Sequence, residues 1–327
     1  MKKELTIGKF RGMQQISTER GLLTMTALDH QEALRESINP ADPDNVPYEQ
    51  VVSVKNDIIA ALAPLSSALL VDVVYGAAQG VSANALPGRT GLMVTLELSP
   101  GFGPGETVAR KTTVVPGWNV AKVRKMGAAA VKLLVFYHPN SQTAGFQEAL
   151  VSQIAADCND HDIPLVLEVL THSVEPGQAT DSPEFAATRP WVVIESARRL
   201  CKLGADVFKA EFPANMKYET DEAKMLSWCE ELTEAAGIPW VVLSAAVDHP
   251  TFCRQVKISC QGGASGFLAG RSIWKEVPGL PPAERQKFLA GEAARRLNEL
   301  TAIAEQYGRP WTDWYQSTVT EGWYKRY

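Results

Sequence analysis

Asp206-Val207-Phe208-Lys209-Ala210-Glu211-Phe212 is an apolar run interrupted by a lysine, and how it is read decides the fold. It lacks helical spacing and fits a buried strand, in which successive side chains alternate between faces. Val207, Lys209 and Glu211 then point one way, and Phe208, Ala210 and Phe212 the other. An amine is therefore held on the inner face. Keeping an ammonium away from water is costly, so a buried lysine gives up its proton more readily and becomes a nucleophile toward a carbonyl. The competing reading is a structural lysine neutralised by Glu211 or another carboxylate.

Seven further apolar runs lie on either side, at 22–28, 67–73, 91–97, 129–136, 164–170, 239–245 and 264–269. Between most of them the apolar residues recur at helical spacing, at 48–62, 119–126, 144–160, 185–203, 222–235 and 250–260. This β/α alternation predicts an α/β fold, a (β/α)8 TIM barrel. A doubly wound sheet would usually show fewer strands and a glycine-rich dinucleotide loop after the first strand, and none is present. The crossover at 75–89 is short for a full helix and breaks the regularity. The chain reads as one barrel domain over residues 1–327, with an N-terminal extension at 1–20, a final amphipathic helix at 282–306 and an aromatic tail at 307–327. The tail carries Trp311, Trp314, Tyr315, Trp323, Tyr324 and Tyr327. It packs either on its own barrel or, as a homo-oligomer contact, on a second subunit.

Composition narrows the partners. The 327 residues are 45% hydrophobic, enough for a large core, and the net charge of −5 with dispersed Lys and Arg argues against nucleic acid. No apolar stretch approaches the roughly 20 residues a membrane helix needs, and the N-terminus lacks an apolar signal core. The five cysteines, Cys158, Cys201, Cys229, Cys253 and Cys260, form no C-x-x-C pair and no Cys/His cluster, which fits a reducing cytoplasm. His30, His138, His161, His172 and His249 are scattered without ligand spacing, so no metal site is expected.

Polar residues recur at the C-terminal ends of the expected strands: Asp29, Asp72, Glu97, Lys132, Glu168, Lys209, Ser244 and the pair Gly270-Arg271. Packing alone explains this badly, because core strands should be apolar, whereas the catalytic mouth of a barrel lies at this end. Lys132 shares a face with Leu134 and Phe136, and Glu168 with Val166 and Leu170, so Lys132, Glu168 and Lys209 should converge from three consecutive strands. A second ammonium would disfavour protonation of Lys209, and Glu168 could move protons. Spacing leaves the reverse assignment open, with Lys132 as nucleophile. Ser244 and Gly270-Arg271 fit an anion site after the last two strands. Two long segments, 99–117 and 171–190, follow strands and read as active-site loops.

These motifs resemble the tagatose-1,6-bisphosphate aldolase family, which also contains the sulfofructose-phosphate aldolases. The resemblance spans about residues 22–281 and rests on Ala27-Leu28-Asp29, Leu70-Val71-Asp72, Ala130-Val131-Lys132-Leu133-Leu134, Leu167-Glu168, the Lys209 run through Pro213, 239–244 and, most specifically, 263–271. It implies a class I aldolase, needing no metal or cofactor, that cleaves a ketose phosphate to dihydroxyacetone phosphate and an aldehyde. In it the lysine matching Lys209 forms the imine and the glutamate matching Glu168 handles protons. Asp29 and Lys132 line the site, and Ser244, Gly270 and Arg271 hold the phosphate. Asp72 and Gln31 are further substrate-binding candidates. Two departures stand out. His30-Gln31 replaces the usual glutamine-arginine, removing a cation for the remote end of the substrate, and Ala246 replaces a glycine. Arg35, Arg89, His138 and Arg189 are candidate replacements for that cation.

Overall fold

The computed structural model describes residues 2–98, 110–325 and 327. Each of the eight apolar runs forms a strand. In chain order the elements are β1 (Lys3–Glu4), α1 (Ile7–Gln15), β2 (Leu23–Leu28), α2 (Glu32–Ile38), α3 (Tyr48–Leu62), β3 (Ala68–Val71) and α4 (Ala77–Ser82). Then come β4 (Gly91–Thr95), α5 (Val120–Lys125), β5 (Ala130–Tyr137), α6 (Ala144–Asp160), β6 (Leu165–Thr171), α7 (Pro183–Leu200), β7 (Val207–Ala210) and α8 (Glu222–Ala236). The chain continues with β8 (Trp240–Leu243), α9 (His249–Gln261), β9 (Gly266–Ala269), α10 (Arg271–Trp274), α11 (Pro282–Phe288), α12 (Ala294–Tyr307) and β10 (Tyr315–Gln316).

Strands β2 to β9 close a barrel in sequence order, and every neighbouring pair is parallel. Burial on both faces explains why these strands are mostly apolar, although β2 alternates Leu and Met with Thr24 and Thr26, and β5, β6 and β7 each carry one charged residue. Helix starts are set locally by side chains that accept orphan backbone N–H groups. Asn119, Ser182, Asp221 and Asp248 cap α5, α7, α8 and α9 in this way. The short crossover at 75–89 holds the six-residue α4. The expected loop at 171–190 is shorter than predicted, because α7 already begins at Pro183 behind the Ser182 cap. The expected single helix at 282–306 is α11 and α12 joined through a π-helical segment, Leu289–Ala293.

The N-terminal extension and the aromatic tail meet beneath the barrel. Strand β1 pairs in parallel with β10. Helix α1 packs against the strand starts with Met13 and Ile16 fully buried, while Lys9 pairs with Asp206 at 2.7 Å. Trp311 packs edge-on against Phe10, and the Tyr315 hydroxyl donates to the Asp206 carbonyl at 2.9 Å. Of the two readings of the tail, packing on its own barrel holds for Trp311 and Tyr315; Trp323, Tyr324 and Tyr327 remain exposed. No helix among the described residues is long and apolar enough to cross a membrane.

Candidate active site

Strand register alone brings the candidate catalytic side chains together. Glu168 of β6 sits directly opposite Lys209 of β7, and Lys132 of β5 pairs with Val166, two residues below Glu168 on the same face. All three therefore project into the barrel, Lys132 from the deeper layer. They line a cavity at the C-terminal mouth, with about 790 Å³ of empty space including the part open to solvent. Asp29, His30, Glu97, Ser244, Gly270 and Arg271 line it too.

Lys132 is the hub of the charge network. Its Nζ lies 2.8 Å from Asp29 Oδ2 and 2.8 Å from Glu168 Oε2, and it also contacts Glu97. The second oxygen of Glu97 accepts the Leu134 backbone N–H at 3.1 Å, which ties the carboxylate to the lysine's own strand. Burial disfavours charge on Lys132, but Asp29, Glu168 and Glu97 outweigh it and hold the ammonium well above the usual lysine range. Burial likewise pushes Asp29 and Glu168 upward. The two lysines overcome this and keep both carboxyls below their ordinary values, ionised at neutral pH. Glu97 is the exception, because burial wins over the attraction of Lys132 and raises it.

Lys209 is 4% exposed, and its Nζ lies 2.8 Å from Glu168 Oε2. One carboxylate oxygen thus touches both ammonium groups, yet neither contact is aligned as a hydrogen bond. The expected alternation stops short of Glu211. Strand β7 ends at Ala210, and Glu211 turns away to accept from Thr171 and pair with Arg189 at 3.1 Å. The carboxylate beside Lys209 is Glu168.

The opposite wall carries the residues expected to bind an anion. After β8 the chain turns through Ser244, Ala245 and Ala246, the two alanines in left-handed conformations with φ of 44° and 60°. For a residue with a Cβ this costs about 1–2 kcal/mol each, so strain is stored at the cavity wall. Gly270 has no room for a side chain. A Cβ there would lie 2.9 Å from His30 Cε1 and 3.0 Å from the Ala27 carbonyl oxygen. Arg271 follows at the start of α10, lines the cavity, and has its affinity for a proton lowered by burial.

Two of the expected substrate-binding residues lie elsewhere. Asp72 is fully buried, paired with Lys55, and caps the turn by accepting from the Val74 and Tyr75 backbone N–H groups at 2.8 and 2.7 Å. It does not line the cavity, because its partner helix α3 draws it outward. Gln31 is the residue preceding α2 and is also absent from the lining. None of the suggested replacement cations lines it either. Arg35 pairs with Asp44 at 3.4 Å, Arg89 borders a cleft with Gln15 at the strand starts, and Arg189 serves Glu211. His138 accepts from the Asn140 N–H at 3.1 Å, behind the wall. No residue of 171–190 lines the cavity, and most of the other expected loop, residues 99–109, lies outside the described residues.

Glu97, already among the strand-end polar residues, lines the site, and so does His30, which the sequence marked only as a departure beside Asp29. The available signal was the recurrence of polar residues at strand ends for Glu97 and the adjacency to Asp29 for His30. Burial lowers His30 to about 4, aided by Arg271 and Lys209, so it is neutral at pH 7. The expectation of no Cys/His cluster also needs correction. His249 and Cys253, one turn apart on α9, meet Glu299 of α12, with ligand atoms within 4.8 Å of one another. Arg295 shares that glutamate at 2.8 Å, and the group lies outside the mouth cavity.

Residues 23–276 match the family model described as DeoC/LacD family aldolase. Tagatose 1,6-diphosphate aldolase 2 of Streptococcus pyogenes serotype M3 is 27% identical over 328 residues, covering 94% of this chain and 98% of that protein. Tagatose 1,6-diphosphate aldolase of Listeria monocytogenes is 28% identical, covering 96% of each. Among solved structures, a Schiff-base-forming fructose-1,6-bisphosphate aldolase superposes with a TM-score of 0.57 at 21% identity, covering 86% of this chain and 97% of that one. Fructose-bisphosphate aldolase of Plasmodium falciparum superposes with a TM-score of 0.64 at 12% identity, covering 97% and 99%. The matched segment runs from the first strand of the barrel to beyond the last, and the chain belongs to the DeoC/LacD aldolase family.

Proposed function

We propose that this aldolase works through a Schiff base on Lys209 and reversibly cleaves a phosphorylated ketose to dihydroxyacetone phosphate and an aldehyde. The observation that carries the reading is the Glu168 carboxylate oxygen held 2.8 Å from both Lys209 Nζ and Lys132 Nζ in a buried mouth. Tagatose 1,6-diphosphate, the ketose named for the curated relatives, is the first substrate to assay.

In this reading Glu168 takes the proton that Lys209 must lose before its amine adds to the C2 ketone, and their 2.8 Å contact supports it. Glu168 returns that proton to the carbinolamine hydroxyl, and its loss as water leaves a protonated imine and a Glu168 carboxylate. As the C3–C4 bond breaks, its electron pair moves into this cation to give an enamine, and a carboxylate, Glu168, accepts the C4 hydroxyl proton. The aldehyde departs. Reprotonation at C3 and hydrolysis of the imine then release dihydroxyacetone phosphate and restore the amine. Lys132, kept charged by its carboxylates, stabilises negative charge beside C4 without itself reacting, and Asp29 orients hydroxyls. Ser244, Gly270 and Arg271 would hold the C1 phosphate, with the arginine supplying the charged fork.

Borohydride added with dihydroxyacetone phosphate should attach one reduced triose to Lys209, located by peptide mass spectrometry, and Lys209→Ala should abolish it. A triose mapped to Lys132 would reverse the roles of the two lysines. Absence of any adduct would overturn the covalent mechanism.

A further inference from the structure

We propose that the substrate is a ketose 1-phosphate whose far end, beyond C4, carries no charge. The inference rests on the Schiff-base reading and adds to it the chemistry of the remote subsite. Strand order lays out the ketose. With the C1 phosphate at Ser244 and Arg271 after β8 and β9, C2 at Lys209 on β7 and the C4 hydroxyl at Glu168 on β6, the remaining carbons run on toward β5 and β4. What they meet there is apolar. Leu170 lies one layer above Glu168 on the same face of β6, Leu134 and Phe136 come from β5, and Leu98 follows β4.

Charge accounting leads to the same place. Lys132 and Lys209 are engaged by Asp29, Glu97 and Glu168, which leaves Arg271 as the one arginine lining the cavity among the described residues, on the opposite wall. His30, the remaining basic side chain in the lining, is neutral at pH 7. Arg35, Arg89 and Arg189 are engaged or positioned elsewhere, as described above. Residues 99–109, outside the described residues, contain no lysine, arginine or histidine. Arg110 flanks the apolar wall. It packs over the Phe136 ring, 4.2 Å from the centroid, and does not itself line the cavity. A second phosphate placed among Leu98, Leu134, Phe136 and Leu170 would lose hydration without gaining a counter-charge. A methyl or hydroxymethyl group loses little there.

The test compares kcat/KM for ketohexose 1-phosphates and the matching 1,6-bisphosphates, using both the fructose and tagatose epimers. In the synthetic direction it compares glyceraldehyde and lactaldehyde with glyceraldehyde 3-phosphate as acceptors of dihydroxyacetone phosphate. The uncharged far end should be favoured by about tenfold or more, the scale on which a mismatched subsite discriminates. Leu170→Lys, which puts a cation into the wall, should shrink that ratio, and Arg110→Ala should leave it unchanged. Equal or better use of the bisphosphate overturns the inference, as does selective loss of bisphosphate turnover in Arg110→Ala. Borohydride trapping with dihydroxyacetone phosphate on the same preparation is blind to the far end. An adduct with a bisphosphate preference therefore removes only this inference, whereas no adduct removes the Schiff-base reading and this inference together.

Discussion

Two aspartates at strand ends, Asp29 and Asp72, have the same appearance in the sequence and opposite situations in the molecule. Asp29 faces the lumen and contacts Lys132; Asp72 faces outward and is sealed against Lys55, both side chains fully buried. Lys55 also donates to the Leu28 carbonyl at 2.8 Å, so the pair joins α3 to the end of β2 next to Asp29. Removing one partner of a buried pair leaves the other charge without compensation, which costs more than the intact pair contributes. Asp72→Ala should therefore lower the unfolding free energy by about 3–5 kcal/mol, read from urea denaturation. The KM for the ketose phosphate should stay at the wild-type value in the folded fraction. A raised KM with unchanged stability would return Asp72 to the substrate site.

At the scale of elements, what could be read from the sequence was whatever burial on both faces dictates. The eight strands were legible because a parallel barrel strand is buried on both faces and mostly apolar, and α3 and α6 have the ends their spacing predicts, Tyr48–Leu62 and Ala144–Asp160. The convergence of Lys132, Glu168 and Lys209 was legible because a two-residue period fixes faces. The partner of Asp72 was not, because it lies on a helix 17 residues away, and nothing in a carboxylate's own neighbours says which way it turns. The two-residue pairing of β1 with β10 was equally hidden, since both are too short to show a period. Helix α1 depends on two glycines, Gly8 against Asp162 and Gly12 against the strand starts. A Cβ on Gly12 would lie 2.5 Å from the Ala129 carbonyl oxygen and 2.5 Å from Pro164 Cδ, so α1 could not sit against the strand starts. Gly12→Ala should cost about 1–3 kcal/mol by overpacking, despite the better helix propensity of alanine, as measured by urea denaturation. An increase in stability would mean that α1 does not dock in this way.

For the whole molecule, the response to acid follows from which buried groups stay neutral. His30 and His138 are each lowered to about 4, His30 by burial and the cations around it, His138 by burial and then by His172. Burial lowers His172 as well. A histidine with a folded pKa below its ordinary value of about 6.5 binds fewer protons when native than when unfolded, so its contribution is complete above that pH and is lost as pH falls toward 4. Asp29 and Glu168, held low by the lysines, are lost only below the ordinary carboxylate range. Glu97 and Asp206, both raised by burial, act in the opposite direction and gain as they protonate. Stability should therefore decline from pH 7 to pH 5 through the histidines, with a further fall below pH 4. His138→Asn isolates one of them, because the asparagine oxygen can still accept the Asn140 N–H that Nδ1 accepts at 3.1 Å. Loss of the ring against Trp191 lowers the variant's stability at pH 7, but its decline between pH 7 and pH 5 in urea titrations should be shallower than that of the parent. Parallel slopes would show that His138 takes up its proton in the folded protein as readily as in the unfolded chain.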